Sequence, residues 1–184
     1  MIGIIDCGTS WLRKIKNNLD QLGYSHKTIE LKNLFNSDLS KFTGVIISGS
    51  PTLLTKVDLK EYLKLFLFVK KVKVPILGIC LGHQIIGLLY GSKIKRDKLI
   101  KKKEKIEIIS KNKLFANVKD HPLFREEHSE YITLPKGFHL LAKSSSCNNE
   151  TMKHKKKNIY GVQFHPEYSG TNGRKLLSNF LKLC

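Results

Sequence analysis

Apolar runs and helical repeats alternate along the first half of the chain. Ile2–Asp6 is a short apolar run. In Trp11–Leu22, the residues Trp11, Leu12, Ile15, Leu19 and Leu22 recur at helical spacing. Ser25–Leu31 alternates as a strand does, and Gly44–Ile47 is a buried run that ends in the turn signal Ser48-Gly49-Ser50-Pro51. The spacing predicts a helix over Leu59–Lys71, a strand over Val74–Ile79 and a helix over Gly82–Tyr90. Strands with no polar face, separated by helices, predict an open α/β fold: a mostly parallel central sheet with helices on both faces.

After Gly91 the rhythm changes. Lys93–Ser110 is Lys-rich with weak alternation, and short strands are expected near Tyr131, at Phe138–Ala142 and at Glu150–Lys153. Ile159–Phe164 is a clearer strand, and Gly173–Leu183 a closing amphipathic helix. With no internal repeat and no linker, residues 1–184 are expected to form one domain. Ser48–Asp58 and Lys111–Glu130 read as loops able to cover a site. In open sheets functional residues gather at the carboxyl ends of strands, which directs attention to the residues after Ile47, Ile79 and Phe164.

Composition changes this picture little. No apolar run is long enough to span a bilayer, and the N-terminus lacks the layout of a secretion signal, so a cytoplasmic protein is expected. The four cysteines, at 7, 80, 147 and 184, have no metal or redox spacing, and no metal is expected. The net charge of +18 comes from 29 Lys and only 4 Arg. Arg carries most sequence-specific nucleic-acid readout, so such a partner is not favoured; solvated lysines, or a face for an acidic partner or substrate, fit better.

Gly78-Ile79-Cys80-Leu81-Gly82 lies between a predicted strand and a predicted helix. This is a nucleophile elbow with cysteine as the nucleophile. The glycines permit a sharp turn, the helix dipole favours the thiolate, and the N–H of Leu81 points where an oxyanion would form. A small buried cysteine at a strand end is the plain alternative, and the flanking glycines weigh against it. Among seven histidines, His165 follows the strand Ile159–Phe164 and precedes Pro166-Glu167. Two-residue spacing in an extended segment places Glu167 beside one imidazole nitrogen and leaves the other for Cys80. His83, one helical turn beyond Cys80, could compete but is expected to pack at the helix start.

The segments Gly78–Gln84 and Gly161–Glu167 resemble the two signatures of class I, triad-type glutamine amidotransferases. The resemblance implies a flavodoxin-like core and a glutaminase that uses Cys80, His165 and Glu167. It also implies that L-glutamine is attacked at its side-chain amide to form a glutamyl thioester. It places Gln84 against substrate, the N–H of Ser50 as a second oxyanion donor with Thr52 beside it, and Ser129 and Glu130 at the amino-acid end of glutamine. The usual glycine of the oxyanion loop is replaced by Ser50, and Glu126 and Glu127 stand where smaller residues are common.

Leu134–Ala142 and Met152–Gly161 are most similar to the separate glutaminase subunit of archaeal GMP synthase. Ser169–Gly173 with Leu176–Leu181 resembles that of imidazole glycerol phosphate synthase. With no phosphate-binding loop in the chain, ATP and magnesium are expected on a separate synthase subunit. A partner-independent γ-glutamyl hydrolase and a non-catalytic Lys-rich binding module are the remaining alternatives.

Overall fold

The computed structural model describes residues 1–184. In chain order its elements are β1 (Ile2–Asp6), α1 (Leu12–Gln21), β2 (His26–Glu30), α2 (Leu31–Leu34), β3 (Gly44–Ile47), α3 (Leu59–Lys64), α4 (Phe68–Lys71), β4 (Ile76–Ile79), α5 (Leu81–Leu89), β5 (Ile94–Lys105), β6 (Glu107–Ile108), β7 (Leu123–Ile132), β8 (Phe138–Lys143), β9 (Thr151–His154), β10 (Ile159–Val162) and α6 (Gly170–Leu181). An eight-stranded sheet runs β2-β1-β3-β4-β10-β9-β8-β6. The first five strands are parallel and the last three antiparallel. This is the expected α/β class.

The apolar strands divide their side chains between two cores, as period-two geometry requires. Ile2 and Ile4 of β1, Ile46 of β3, Leu77 and Ile79 of β4 and Val162 of β10 meet α1 and α6 on one face. Ile5, Val45, Ile47, Ile76 and Ile159 meet α3–α5 on the other. With both faces covered, no polar position is needed within these strands, which explains their unbroken apolar character.

Two expectations need correction. The predicted helix over Leu59–Lys71 is split: between α3 and α4 the backbone tightens to i→i−3 bonds, such as Phe66 N–H to Leu63 O and Val69 N–H to Phe66 O. Residues three apart eclipse in such a turn, and this puts Phe66 and Val69 together in the core. The segment Lys111–Glu130 is not a loop. After a single 3-10 turn at Lys113–Phe115 it enters the ten-residue strand β7.

β7 pairs antiparallel with the Lys-rich β5 as a separate two-stranded ribbon. Phe124, Glu126, His128, Glu130 and Ile132 all point inward from β7. No helix is long and apolar enough to cross a membrane.

Candidate active site

β4 delivers the chain to Cys80, and α5 begins at the next residue. Cys80 sits at φ 50°, ψ −103°, a conformation that costs a non-glycine residue of order 1–3 kcal/mol. The surrounding structure enforces it. Cys80 N–H donates to Val162 O at 2.8 Å, and Gln84 N–H to Cys80 O at 3.1 Å. A Cβ at Gly78 would overlap the Gly82 backbone, and one at Gly82 would overlap the Ile47 carbonyl. The elbow thus needs both glycines for close approach, with side chains excluded on either side of the sulfur.

His165 caps the far side of the sulfur. Its N–H donates to Arg125 O at 2.8 Å, and its carbonyl accepts the Ser169 hydroxyl at 2.6 Å. Trp11 packs on the ring edge-to-face, with centroids 4.3 Å apart. Nδ1 lies 2.8 Å from Glu167 Oε1, which leaves Nε2 to hydrogen-bond the Cys80 sulfur. The route to this contact differs from the extended spacing expected. Pro166–Tyr168 form a 3-10 turn, and the turn swings Glu167 back under the ring.

Burial is the largest influence on His165 and disfavours the imidazolium. The charges of Glu167 and Cys80 outweigh it and hold the pKa well above the ordinary 6.5. Gly49 lies between the two reacting groups: a Cβ there would stand 3.0 Å from His165 Cε1 and 3.5 Å from Cys80 Cβ.

His83 does not compete. It is fully buried under α5 beside Gly161, and desolvation, against the pull of the Gly161 and Asn149 backbones, lowers its pKa to about 3. The other cysteines are free thiols. Burial is the main reason that Cys7 and Cys184 are pushed up to about 12, and it raises Cys147 further.

A cavity of about 210 Å³ opens over the sulfur, lined by Cys80, Ser50, Thr52, Gln84, Ser129 and Glu130 among others. The structure thus gathers every sequence-selected substrate residue except Leu81, whose N–H begins α5 just behind Cys80. The N–H groups of Ser50 and Leu81 make no bond within the chain, as donors awaiting an oxyanion would not. The Ser50 hydroxyl donates to Thr52 Oγ1 at 3.0 Å and accepts Thr52 N–H at 3.2 Å.

The carboxylate of Glu130 is committed elsewhere. It accepts Leu54 N–H, Thr55 N–H and the Thr55 hydroxyl at 2.7, 3.1 and 2.5 Å. Gln84 gives its amide hydrogens to Glu130 O at 2.7 Å and Gln163 Oε1 at 3.1 Å, so its own oxygen remains for a ligand.

Three participants lie outside the residues that the sequence singles out. Gln163 Nε2 lies 3.6 Å from the sulfur, as a donor toward a thiolate. Its signal was its place two residues before His165. Glu127 offers its carbonyl 3.9 Å from the sulfur, while Lys101 and Arg125 grip its carboxylate at 2.9 and 3.0 Å. Trp11, packed on the imidazole, is the third. Glu127, Ser50 and Pro51 form a ridge between the first cavity and a second of about 320 Å³, which holds Trp11 and the His165 ring. No group of three or more His, Cys, Asp or Glu residues is disposed to hold a metal ion.

A cysteine at a strand–helix elbow, an imidazole on its sulfur and a carboxylate behind the imidazole match a known family. The family model "Glutamine amidotransferase class-I" covers residues 3–184. The chain belongs to the class I glutamine amidotransferases. Across its whole length this amidotransferase is 37% identical to the glutamine-hydrolysing subunit of GMP synthase from Methanocaldococcus jannaschii, of which 97% is covered. It is 38% identical to the corresponding GMP synthase subunit of Pyrococcus furiosus, with 98% covered. A crystal structure of a putative GMP synthase subunit from Thermoplasma acidophilum superposes with a TM-score of 0.89 at 28% identity, over 100% of this amidotransferase and 92% of that chain. A glutamine amidotransferase from Thermotoga maritima shares the fold with a TM-score of 0.82 at 18% identity, over 98% of this chain and 96% of that one.

Proposed function

We propose that the chain is the glutaminase subunit of a two-subunit GMP synthase, a single glutaminase domain of the cytoplasm. The observation that carries this reading is the line Cys80–His165–Glu167 at the floor of a cavity sized for an amino acid. The full-length likeness to subunits named for GMP synthase selects the partner.

The Cys80 thiolate attacks the side-chain amide carbon of L-glutamine, and the carbonyl oxygen takes up charge between the N–H groups of Ser50 and Leu81. The C–N bond breaks as His165 protonates the leaving nitrogen, giving ammonia and a glutamyl thioester. His165, now neutral, removes a proton from water. The resulting hydroxide attacks the thioester, and the C–S bond breaks to release glutamate and the thiolate. Glu167 holds the imidazole in the tautomer that points Nε2 at these steps. Gln84, Thr52, Ser129 and the backbone of Glu130 orient the substrate.

Ammonia forms on the His165 side and leaves into the cavity lined by Trp11. A separate ATP-dependent synthase docked there receives it and aminates XMP to GMP. We assign ATP and magnesium to that partner, and no cofactor to this chain.

The test supplies amide-labelled glutamine to the chain mixed with its cognate synthase. Label should enter GMP, and Cys80→Ala should stop this while added ammonia still supports the synthase. Amination from ammonia but never from glutamine would overturn the reading. Hydrolysis of γ-glutamyl amides at full rate without any synthase would indicate a partner-independent hydrolase instead.

A further inference from the structure

Beneath the reacting pair lies a second ionisable cluster that glutamine hydrolysis leaves unused. Glu126 on β7 and Glu150, just ahead of β9, are completely buried. Glu150 Oε1 accepts the Ser144 hydroxyl at 2.6 Å. Glu150 Oε2 and both Glu126 oxygens receive no hydrogen bond. Two facing carboxylates cannot satisfy each other, because neither can donate. One proton between them makes one the donor and the other the acceptor, and removes a buried like-charge clash.

The other groups around the pair do not supply the missing charge. On β5, Glu104 is tied to the hydroxyls of Ser145 and Ser146 and lies 3.6 Å from Lys102, the one cation there. On β7, His128 Nε2 is 3.3 Å from Glu126 Oε2, but burial, opposed by Glu150, lowers the His128 pKa and keeps the ring neutral. From the β8–β9 connection come Ser144 and the protonated Cys147. From the turn after β10 comes His165.

Backbone geometry ties this cluster to the imidazole. Arg125, the residue before Glu126, forms an antiparallel bridge with His165 and accepts its N–H at 2.8 Å. The charge on Glu126 and that on His165 act on one another through this contact.

We propose that Glu126 is a positioning residue for the reaction: with Glu150 it stores one shared proton beneath His165, and the release of that proton sets the pH range over which the imidazole alternates between acid and base. Burial, the largest influence, and the charge of Glu104 push Glu126 up to about 8, against the pull of His165. Burial and the charge of Glu126 hold Glu150 well above the ordinary 4.5. While the proton is held, His165 is free to lose its own in the water-activating step. Once it leaves, the added negative charge favours the imidazolium and weakens the base.

The inference rests on Cys80 and His165 as the reacting pair, so its test reads His165 directly, without glutamine or synthase. The full chain, with isotope-labelled histidine, is titrated by NMR, and the His165 signal is assigned from His165→Gln. The wild-type signal should move in two steps, the second following the carboxyl pair. Glu126→Gln should remove that step and lower the His165 midpoint by about half a pH unit or more. Glu150→Gln gives Glu126 an amide donor, lets it ionise earlier, and should move the midpoint the opposite way. The alkaline limb of kcat/KM for glutamine should shift in the same order, because kcat/KM needs the imidazolium in the free enzyme.

A purely structural role predicts shifts of one sign or none, and either result overturns the proposal, as does a single-step wild-type titration. If Glu126→Gln does not fold, the wild-type titration and an infrared band from a protonated carboxyl at neutral pH decide the matter; absence of that band also overturns it. Correct titrations without glutamine hydrolysis would instead refute the function proposed above and leave the shared proton standing.

Discussion

Glu130 Oε2 accepts the backbone N–H of Leu54 at 2.7 Å, and this tie holds the loop after β3 over the sulfur. Thr55 adds two more donors to the same carboxylate. The loop carries Ser50 and Thr52, so a side chain on the ribbon controls the oxyanion side of the cavity. Hydrogen bonds to a carboxylate are worth about 1.5–3 kcal/mol each. Glu130→Ala should therefore weaken apparent glutamine affinity by roughly 10- to 100-fold. Glu130→Gln, which keeps one acceptor, should fall between. Steady-state KM values with the synthase present check the order.

Gly49 is the narrowest point of the site. An added Cβ would press on His165 Cε1 at 3.0 Å, and the ring cannot retreat because Trp11 packs against it. Gly49→Ala should lower kcat by about 100-fold, the usual cost of a misplaced catalytic group. Thermal unfolding should change little, since the elbow and both cores are untouched.

The parallel half of the sheet was legible because β1, β3, β4 and β10 are buried on both faces and carry almost only apolar or glycine positions. The elbow was legible for a related reason: its glycines answer a steric demand that no other residue meets. β7 was not legible. Its inward positions hold Glu126, His128 and Glu130, so a buried strand reads as a charged loop. Those side chains are inside because they have partners there: loop N–H groups for Glu130, a second carboxyl for Glu126. Partners of this kind are distant in sequence and invisible to periodicity. The same holds for the carboxylate of Glu130, whose direction no motif specifies.

Cys80 holds a backbone conformation that glycine adopts freely. Cys80→Ala and Cys80→Gly should both abolish glutamine hydrolysis. Relative to the alanine variant, Cys80→Gly should raise unfolding free energy by about 1 kcal/mol, because it releases the strain of the elbow. Urea denaturation of the two variants gives the difference directly. Equal stabilities would mean that the turn is not strained. Cys147→Ala should keep the activity, since that thiol is buried away from the cavity.

The buried acid pair also fixes how stability varies with pH. Glu126 has an ordinary pKa of 4.5 in the unfolded chain and about 8 in the fold, raised first by burial. Between those values the native state binds a proton that the unfolded chain has lost. Stability is then greatest below pH 4.5 as far as this group is concerned, and it drains away as pH rises toward about 8. The slope is at most about 1.4 kcal/mol per pH unit for one proton. Glu126→Gln carries no such proton. Its stability relative to wild type should therefore increase from about pH 5 to about pH 8, with the larger part of the gain coming before the upper end. Urea unfolding across that range measures it. A difference that stays flat, or that falls with pH, would mean that Glu126 is ionised throughout and that the ribbon is held down by other contacts.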